Sequence, residues 1–393
     1  MAKAMKTYSY KLYHSNRNKK LHKIIDNCSR IWNYCITMHR RYYRLYKKSL
    51  RANDLKKHIA KVKKVGMFKD IEDSFFDNLK KNRFLFLKEF DAQSTQDIVE
   101  RIDRAYEKFF ADRKKKKKAS PPKYRPRRKY KSFTLKKNGW KHLEGNVIKI
   151  FKKKYRYFKH REMADGDKIK TVTIKRDALG DIYIFFTCET QKPEVLAKLG
   201  KSIGFDFGLK KFLTSSENQD CDIVAPLFFK QNANAIANAN RKLSRKRKGS
   251  NHYVRAKLAL ARLHKKTANQ RENFHWEVAH HLVSQYSLIC IEDLNIKAMQ
   301  KRWGRKISDL AFYDFVKKLD YMATKTGASV QRVDRFFASS QICSDCGYQN
   351  QDVKNLKIRE WVCPQCGAKH DRDRNAAKNI LARGIELDAT LKA

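Results

Sequence analysis

Several absences limit what this chain of 393 residues can be. No apolar run approaches the ~18 residues that a membrane-spanning helix needs, so we predict no membrane span. The first residues lead into no apolar signal core, and secretion is therefore not expected. The nine cysteines are an odd number and five of them stand singly, which argues against a disulfide framework. We expect a reducing, cytoplasmic compartment.

Acidic residues are scarce: 40 Asp and Glu face 90 Lys and Arg, which leaves a formal net charge of +50. Such self-repulsion is costly for a compact protein unless a polyanion relieves it. Nucleic acid is the expected partner, because each neutralised phosphate releases a counterion. An anionic membrane surface is the alternative. Hydrophobic residues make up 41%, which is enough for real cores and excludes wholesale disorder.

The hydrophobic pattern changes along the chain. Residues 7–13 alternate as a strand, and residues 16–112 show helical spacing with no proline before Pro121. Residues 132–190 read as β, with a hairpin around residues 178–180, and suit a small antiparallel barrel or half-barrel. Pro193 begins a predicted linker. Beyond it, buried strands alternate with long helices, which predicts a mixed α/β domain.

Residues 113–131 form a basic segment with twelve Lys and Arg in nineteen positions and no acid. We predict an extended or mobile arm that orders on a polyanion. Tyr124 and Tyr130 lie between the charges and could stack on bases, with Arg127 and Arg128 beside them. A solvated loop is the simpler alternative.

Two cysteine pairs predict a metal site. Cys343 and Cys346 are followed by Cys363 and Cys366, with sixteen residues between the pairs and a glycine after each. This spacing is typical of a four-cysteine zinc site, with each pair in a tight turn. Four thiolates leave no open position for a substrate, so the predicted Zn²⁺ is structural.

Acids in apolar surroundings are the second signal. Asp206 lies inside a predicted strand, Glu292 follows another, and Asp371 and Asp373 stand at a helix start after the second cysteine pair. A carboxylate among apolar residues is costly unless it is paired or binds a metal. Converging carboxylates suit Mg²⁺, and two such ions stabilise phosphodiester cleavage. The alternatives are a turn residue, a salt bridge and a helix N-cap.

Successive blocks of the second half resemble the TnpB proteins of prokaryotic insertion sequences. These blocks are residues 203–211 with Thr214, residues 268–275, residues 291–297, the two cysteine pairs with their neighbours, and residues 370–380. They occur in the family's order. The N-terminal half matches more loosely, at residues 92–110 and 130–134.

The resemblance implies an α/β multidomain protein with an RNase H-like, RuvC-type nuclease at residues 198–337 and 371–393. Residues 338–370 are then an inserted four-cysteine zinc ribbon that binds the target nucleic acid. A wedge β-barrel is implied at residues 1–12 and 118–197, with a helical recognition lobe inserted at residues 13–117. The metal-binding triad would be Asp206, Glu292 and Asp373, because the family pattern selects Asp373 over Asp371.

The same resemblance implies an RNA-guided DNA endonuclease that uses two Mg²⁺ ions and acts as a monomer in its ribonucleoprotein. A guide RNA derived from the transposon end would pair with double-stranded target DNA beside a short adjacent motif. Gln96 and Thr134 are the implied readers of that motif. Further nucleic-acid contacts are predicted at Gln270 and Arg271 of the second block, and on a basic helix over residues 241–248 through Arg245 and Arg247.

Two other functions remain open at this stage. A guided DNA-binding repressor would share the fold without cutting, although its relatives have lost triad acids and all three are present here. An RNA-independent accessory of transposition would bind no defined RNA. The identity of any RNA that co-purifies with the protein separates these alternatives.

Overall fold

The computed structural model describes residues 3–65, 92–164, 166–191 and 200–392. They belong to two compact units, residues 1–192 and residues 193–393. Part of the helical pattern predicted over residues 16–112, and the linker predicted from Pro193, lie outside the described residues. Among the described helices, none combines the length and apolar character needed to cross a bilayer.

The first unit contains a seven-stranded sheet. Its strands are β1 Lys3–Leu12, β2 Ser132–Leu135, β3 Trp140–His142, β4 Val147–Ile150, β5 Lys153–Phe158, β6 Lys168–Arg176 and β7 Ile182–Gln191. They lie in the order β2-β6-β7-β1-β5-β4-β3, with antiparallel neighbours. The predicted hairpin is confirmed by the pairing of β6 with β7. Within the described ranges no pairing joins β2 to β3, so closure into a barrel stays a prediction.

Three helices pack on this sheet: α1 Asn18–Tyr46, α2 Ala52–Val65 and α3 Ala92–Lys114. The apolar residues of α1 recur every three or four positions, and the resulting stripe, which includes Ile25 and Trp32, is buried. It forms one hydrophobic core with Ile98 of α3 and with Phe133 and Phe186 of the sheet. Helices and sheet of the first unit are therefore stabilised by the same core.

A five-stranded mixed sheet forms the centre of the second unit. Its strands are β8 Lys201–Phe207, β9 Lys211–Ser215, β10 Ile223–Val224, β11 Tyr286–Glu292 and β12 Ser329–Val333. The order is β10-β9-β8-β11-β12, with β8, β11 and β12 parallel to one another. The helices are α4 Phe228–Ser244, α5 Asn251–Gln285, α6 Ile296–Leu310, α7 Phe312–Thr326 and α8 Arg372–Lys392. Mixed α/β architecture is as predicted.

The basic stretch at residues 228–285 forms two helices, α4 and α5. Gly249 lies between them with a φ of +89°, which is in the left-handed region that favours glycine. Ser250 then caps α5, since its Oγ accepts a hydrogen bond from the Tyr253 backbone N–H at 3.1 Å. The helix predicted over residues 241–248 was therefore too long, because α4 ends at Ser244.

Residues 338–370 form a small insertion between β12 and α8. A short antiparallel pair, β13 Glu360–Val362 and β14 Lys369–Asp371, follows a 3₁₀ turn at Gln351–Lys354. Its core is Val353 and Trp361, with Cys343 and Cys363. Such a small core cannot stabilise an insertion of this size, which is typical of a metal-dependent fold.

Candidate active site and metal centres

Asp206 and Glu292 lie opposite one another on neighbouring parallel strands. The pairing of β8 with β11 places Ile291 opposite Phe205. The next residue on each strand is the acid. Both carboxylates therefore stand near the carboxyl ends of β8 and β11, the edge at which parallel α/β sheets place their sites.

Helix α8 reaches this edge because two glycines let it approach the sheet. A Cβ added to Gly204 would lie 2.3 Å from the Ala377 carbonyl oxygen, and one added to Gly384 would lie 2.3 Å from Cys290 Sγ. Neither distance is possible for a real side chain, so only glycine permits the contact. Asp373 is one helical turn before Ala377 and thus begins α8 beside the end of β8.

The two neighbouring acids of α8 differ in their roles. Asp371 is the N-cap, since its Oδ1 accepts a hydrogen bond from the Arg374 backbone N–H at 2.8 Å. Asp373 lies inside the first turn, and its carboxylate oxygens are 3.2 and 3.4 Å from Arg359 Nη1. The N-cap alternative therefore holds for Asp371 and not for Asp373.

The charges of Asp373 and Glu292 act on Asp206. Burial raises the pKa of Asp206 well above its usual range, and the charges of Asp373 and Glu292 raise it further, whereas that of Arg372 lowers it. Burial, followed by the charge of Asp293, raises the pKa of Glu292 to about 7. Among the described residues, no cation lies within ion-pair distance of Asp206 or Glu292. Neither carboxylate therefore has the ion-pair partner that normally offsets burial.

A buried ion pair that we did not predict fixes the start of α8. The side chain of Asp222 is only 5% exposed, and it accepts hydrogen bonds from Arg374 Nη2 at 2.9 Å, from Lys211 Nζ at 2.8 Å and from the Ser215 backbone N–H at 2.9 Å. Arg374 also donates to the Ser215 carbonyl oxygen at 3.1 Å. Because Arg374 adjoins Asp373, this network holds the third acid against β9. The residues of this network are far apart in sequence, so no local sequence pattern predicts their contact.

The four predicted zinc ligands form one cluster. Their sulfur atoms all lie within 4.8 Å of one another, with Cys343 and Cys366 3.7 Å apart and Cys346 and Cys363 3.6 Å apart. A tetrahedron with Zn–S bonds of about 2.3 Å has edges of about 3.8 Å. The cluster therefore fits a structural zinc ion.

Each cysteine pair forms the predicted turn. The Gly347 N–H donates to the Cys343 carbonyl oxygen at 3.0 Å, and the Gly367 N–H donates to that of Cys363 at 2.9 Å. Both glycines have a positive φ, +78° and +74°. The two turns are thus equivalent, and each presents its thiolates to the same point.

Two buried asparagines, also not predicted as site residues, connect the zinc cluster to α8. Asn375 accepts a hydrogen bond from the Ser344 N–H at 2.9 Å and donates to the Ile342 carbonyl oxygen at 2.7 Å. Asn379 donates to the same carbonyl at 2.6 Å. The first cysteine turn is therefore attached to the helix two residues after Asp373.

The structure brings Gln96 and Thr134 to the same part of the first unit. Gln96 is exposed on α3. Thr134 Oγ1, on β2, accepts a hydrogen bond from Arg101 Nη2 at 2.7 Å. A backbone hydrogen bond of Thr134 lowers the pKa of Asp97, which burial raises. Thr134 is half-buried, so Gln96 is the more accessible of the two.

The basic segment begins with the end of α3 and includes a 3₁₀ turn at Arg127–Lys129, and hydrogen bonds attach the stretch between them to α1. Trp32 Nε1 donates to the Lys123 carbonyl oxygen at 3.0 Å, and Asn33 accepts from the Arg125 N–H at 2.8 Å. Tyr124 is 47% exposed. Tyr130 is 3% exposed, and the expectation that it stacks on bases was wrong because its ring belongs to the core.

The remaining predicted nucleic-acid contacts divide into two groups. The exposed basic residues are Arg127 and Arg128 in a 3₁₀ turn and Arg245 and Arg247 between α4 and α5. Gln270 and Arg271 instead connect helices. Gln270 Oε1 accepts from Asn232 Nδ2 at 3.4 Å, and Arg271 Nη1 donates to the Ser308 carbonyl oxygen at 3.0 Å.

Two protein families match this chain. Residues 185–302 match the family described as "Probable transposase", and residues 312–380 match "Cas12f1-like, TNB domain". The second match spans the cysteine cluster and the start of α8.

Named relatives cover more of the chain. "Putative RNA-guided DNA endonuclease" of Streptomyces pristinaespiralis is 31% identical over 319 residues, which are 79% of this chain and 76% of the relative. "Putative RNA-guided DNA endonuclease InsQ" of Escherichia coli K12 is 27% identical over 76% of each chain. "TnpB-like protein L79" of Acanthamoeba polyphaga mimivirus is 31% identical over 55% of this chain and 44% of its own length.

A solved structure shares the fold. It is titled "Cryo-EM structure of the Cas12f1-sgRNA-target DNA complex", and it aligns with a TM-score of 0.51 at 12% identity over 96% of this chain and 98% of that one.

Proposed function

This chain belongs to the TnpB family, and from that membership we propose that it is an RNA-guided, Mg²⁺-dependent DNA endonuclease. The observation that carries the proposal is the register of β8 and β11, which sets Asp206 opposite Glu292, with no described cation at ion-pair distance from either. Asp373 completes a carboxylate triad. Asp222 and Arg374 position its helix.

The donor set suits hard divalent cations, because it consists of three carboxylates with no thiol or imidazole among them. Asp206, Glu292 and Asp373 would hold two Mg²⁺ ions, which supply charge stabilisation for the attacking and leaving oxygens of a phosphodiester. The raised pKa of Glu292, about 7, means that this group gives up a proton before it can bind a metal. Arg359 neutralises Asp373 from the side of the zinc insertion.

The remaining assignments follow the family. In the proposed protein the second unit is a RuvC-type nuclease with a zinc-binding insertion, and the first unit combines a wedge with a helical recognition lobe. The guide RNA pairs with the target strand, while the protein holds the heteroduplex by its backbone. Gln96 and Thr134 read a short adjacent motif, and a single chain acts in each ribonucleoprotein.

Isosteric substitution of the triad tests the catalytic part. We expect Asp206→Asn, Glu292→Gln and Asp373→Asn each to slow cutting of a target plasmid by at least about a hundredfold, because each removes charge from the metal site. Guided binding to the same DNA, measured by gel shift, should survive. Asp371→Asn is the matched control: it lies two residues from Asp373, and asparagine is an equally good N-cap. Unchanged cutting by Asp206→Asn would make the triad wrong.

The RNA that co-purifies with the protein from its native locus tests the guided part. One discrete RNA, with a constant folded part and a variable 3′ end that matches flanking DNA, supports a guide. A random spread of cellular RNA would instead favour the accessory of transposition. Guided binding with no cutting under saturating Mg²⁺ would favour the repressor.

A further inference from the structure

A cavity of about 400 Å³ opens in the first unit between the carboxyl ends of α1 and α3. The proposed function assigns nothing to it. Its walls come from Tyr43 on α1 and from Tyr106 and Phe110 on α3. Arg40 and Arg113 also line it, and His39 is the most buried residue of the lining. The cavity therefore combines aromatic walls with cations.

The walls present flat aromatic faces. The rings of His39 and Tyr106 are stacked, with centroids 4.5 Å apart and planes 21° apart. Phe110 lies next to Tyr106, with centroids 6.3 Å apart. Tyr43 and Phe110 are 59% and 49% exposed, so both rings offer open surface. Open aromatic faces beside a stacked pair provide a platform on which another planar ring can stack.

His39 is a polar group in the cavity wall. The residue is only 5% exposed, and no hydrogen bond to its ring is found within the part of the chain that the structure describes. Its ring nitrogens can donate to or accept from the polar edge of a planar ligand.

The rim is strongly cationic. Arg113 begins the run of exposed lysines at residues 114–118, and Pro121, just beyond that run, also lines the cavity. Arg40 lies over the ring of Tyr124, with its guanidinium carbon 4.4 Å from the centroid. The aromatic walls suit a planar ring, and the cationic rim suits a negative charge next to that ring. A nucleotide has both features.

We infer that this cavity binds one unpaired nucleotide of the guide RNA. The base stacks on the faces of Tyr106, Tyr43 and Phe110, and its phosphate contacts Arg40 and Arg113. RNA is favoured because a folded guide keeps unpaired bases in loops and bulges, which proteins recognise by stacking on aromatic side chains. This inference extends the proposed function, since it names a contact of the guide.

The test measures binding of a short, unstructured RNA that carries one 2-aminopurine, with the full zinc-loaded chain at raised salt. We expect Phe110→Leu to weaken binding by about five- to a hundredfold, and the base fluorescence to respond less, because leucine keeps the bulk but not the aromatic face. Phe110→Trp should restore both readouts. Phe158→Leu is the matched control, since Phe158 is equally exposed in the same unit but lies outside the cavity.

A second measurement locates the contact. RNA labelled with 4-thiouridine in cells should give photo-adducts on peptides that contain Tyr43 or Phe110. Equal effects of Phe110→Leu and Phe158→Leu, or adducts confined to other peptides, would overturn the inference. If Phe110→Leu weakened the binding of DNA of the same sequence by the same factor, the assignment to RNA would be wrong. Neither readout requires cutting. The inference can therefore hold for a chain that cuts no DNA, and it can be wrong for a chain that is a guided nuclease.

Discussion

Acids of low solvent exposure have different partners in the two units: Asp97 and Asp181 are buried, whereas Asp206 and Glu292 are half-buried. In the first unit, Asp97 and Asp181 are buried, and each forms an ion pair, Asp97 with Arg101 at 2.9 Å and Asp181 with Lys11 at 2.8 Å. In the second unit Asp222 is paired in the same way. Asp206 and Glu292 are not paired with any described cation. Paired acids hold elements together, whereas unpaired acids destabilise the metal-free fold and are available to a metal.

The positive charge is also unevenly shared. Residues 1–192 carry 54 Lys and Arg against 20 Asp and Glu, whereas residues 193–393 carry 36 against the same number of acids. Most of the excess thus belongs to the first unit, in whose described part both buried acids, Asp97 and Asp181, form ion pairs. We therefore expect that binding of a polyanion and cleavage of a polyanion can be changed separately in this chain.

Loss of zinc should have the largest effect. Cys343→Ser removes one of four ligands, and structural zinc contributes on the order of 10 kcal/mol to folding of small domains. Asn375 and Asn379 attach that cluster to α8, so loss of the zinc should displace Asp373. We expect zinc loss by atomic absorption, no measurable cutting, and RNA binding by the first unit within about threefold of the parent.

Cys221→Ser is the control for that experiment, because Cys221 lies in the same unit but outside the cluster. If Cys343→Ser held no zinc and still cut at the parental rate, the zinc cluster would not support the nuclease site. If RNA binding also disappeared, the two units would not be separable.

The paired acid of the second unit should give the next largest effect. Asp222→Asn leaves Arg374 and Lys211 without their counter-charge, and breaking a buried pair typically costs about 3–5 kcal/mol. The thermal midpoint should fall, and cutting should slow about tenfold or more as Asp373 shifts. Asp206→Asn should instead raise the midpoint of the metal-free protein, because it removes a carboxyl group whose raised pKa favours the unfolded chain at neutral pH.

Asp220→Asn is the matched control, since Asp220 is exposed and two residues away. Calorimetry of all three variants, loaded with zinc but without Mg²⁺, decides the comparison. If the thermal midpoint fell as much for Asp206→Asn as for Asp222→Asn, both acids would stabilise the metal-free fold.

Local signals allowed the sequence to predict much of the site. The cysteine spacing, the positions of β8 and β11 and the acids in them are all readable from short windows, because strand burial and metal turns depend on near neighbours. The choice between Asp371 and Asp373 needed the family pattern, and the structure adds the reason: Asp371 is occupied as a cap.

What the sequence could not predict depends on distant partners. Asp222 meets Arg374 across 152 positions, and Gly204 is required by a helix that begins far beyond it. Tyr130 lies in a run of cations, but the core of the first unit buries it. Residue type and charge pattern describe the surface well, but they do not show which surface residue another element will cover.

The smallest effect concerns the pH dependence of the unpaired acids. Burial raises the pKa of Glu292 from 4.5 to about 7. Between these values the folded, metal-free protein keeps a proton on Glu292 that the unfolded chain has released. Stability is therefore full below about pH 4.5 and falls as the pH rises towards about 7, by about 1–3 kcal/mol.

Thermal unfolding of the zinc-loaded protein without Mg²⁺ from about pH 5 to about pH 8 measures that fall, and Glu292→Gln should remove most of it. Glu272→Gln, on an exposed position of α5, should not. Excess Mg²⁺ should oppose the fall, because a bound cation favours the ionised carboxylate. Equal pH profiles for the parent and Glu292→Gln would mean that Glu292 has a counter-charge after all, and the contrast between paired and unpaired acids would no longer separate the two units.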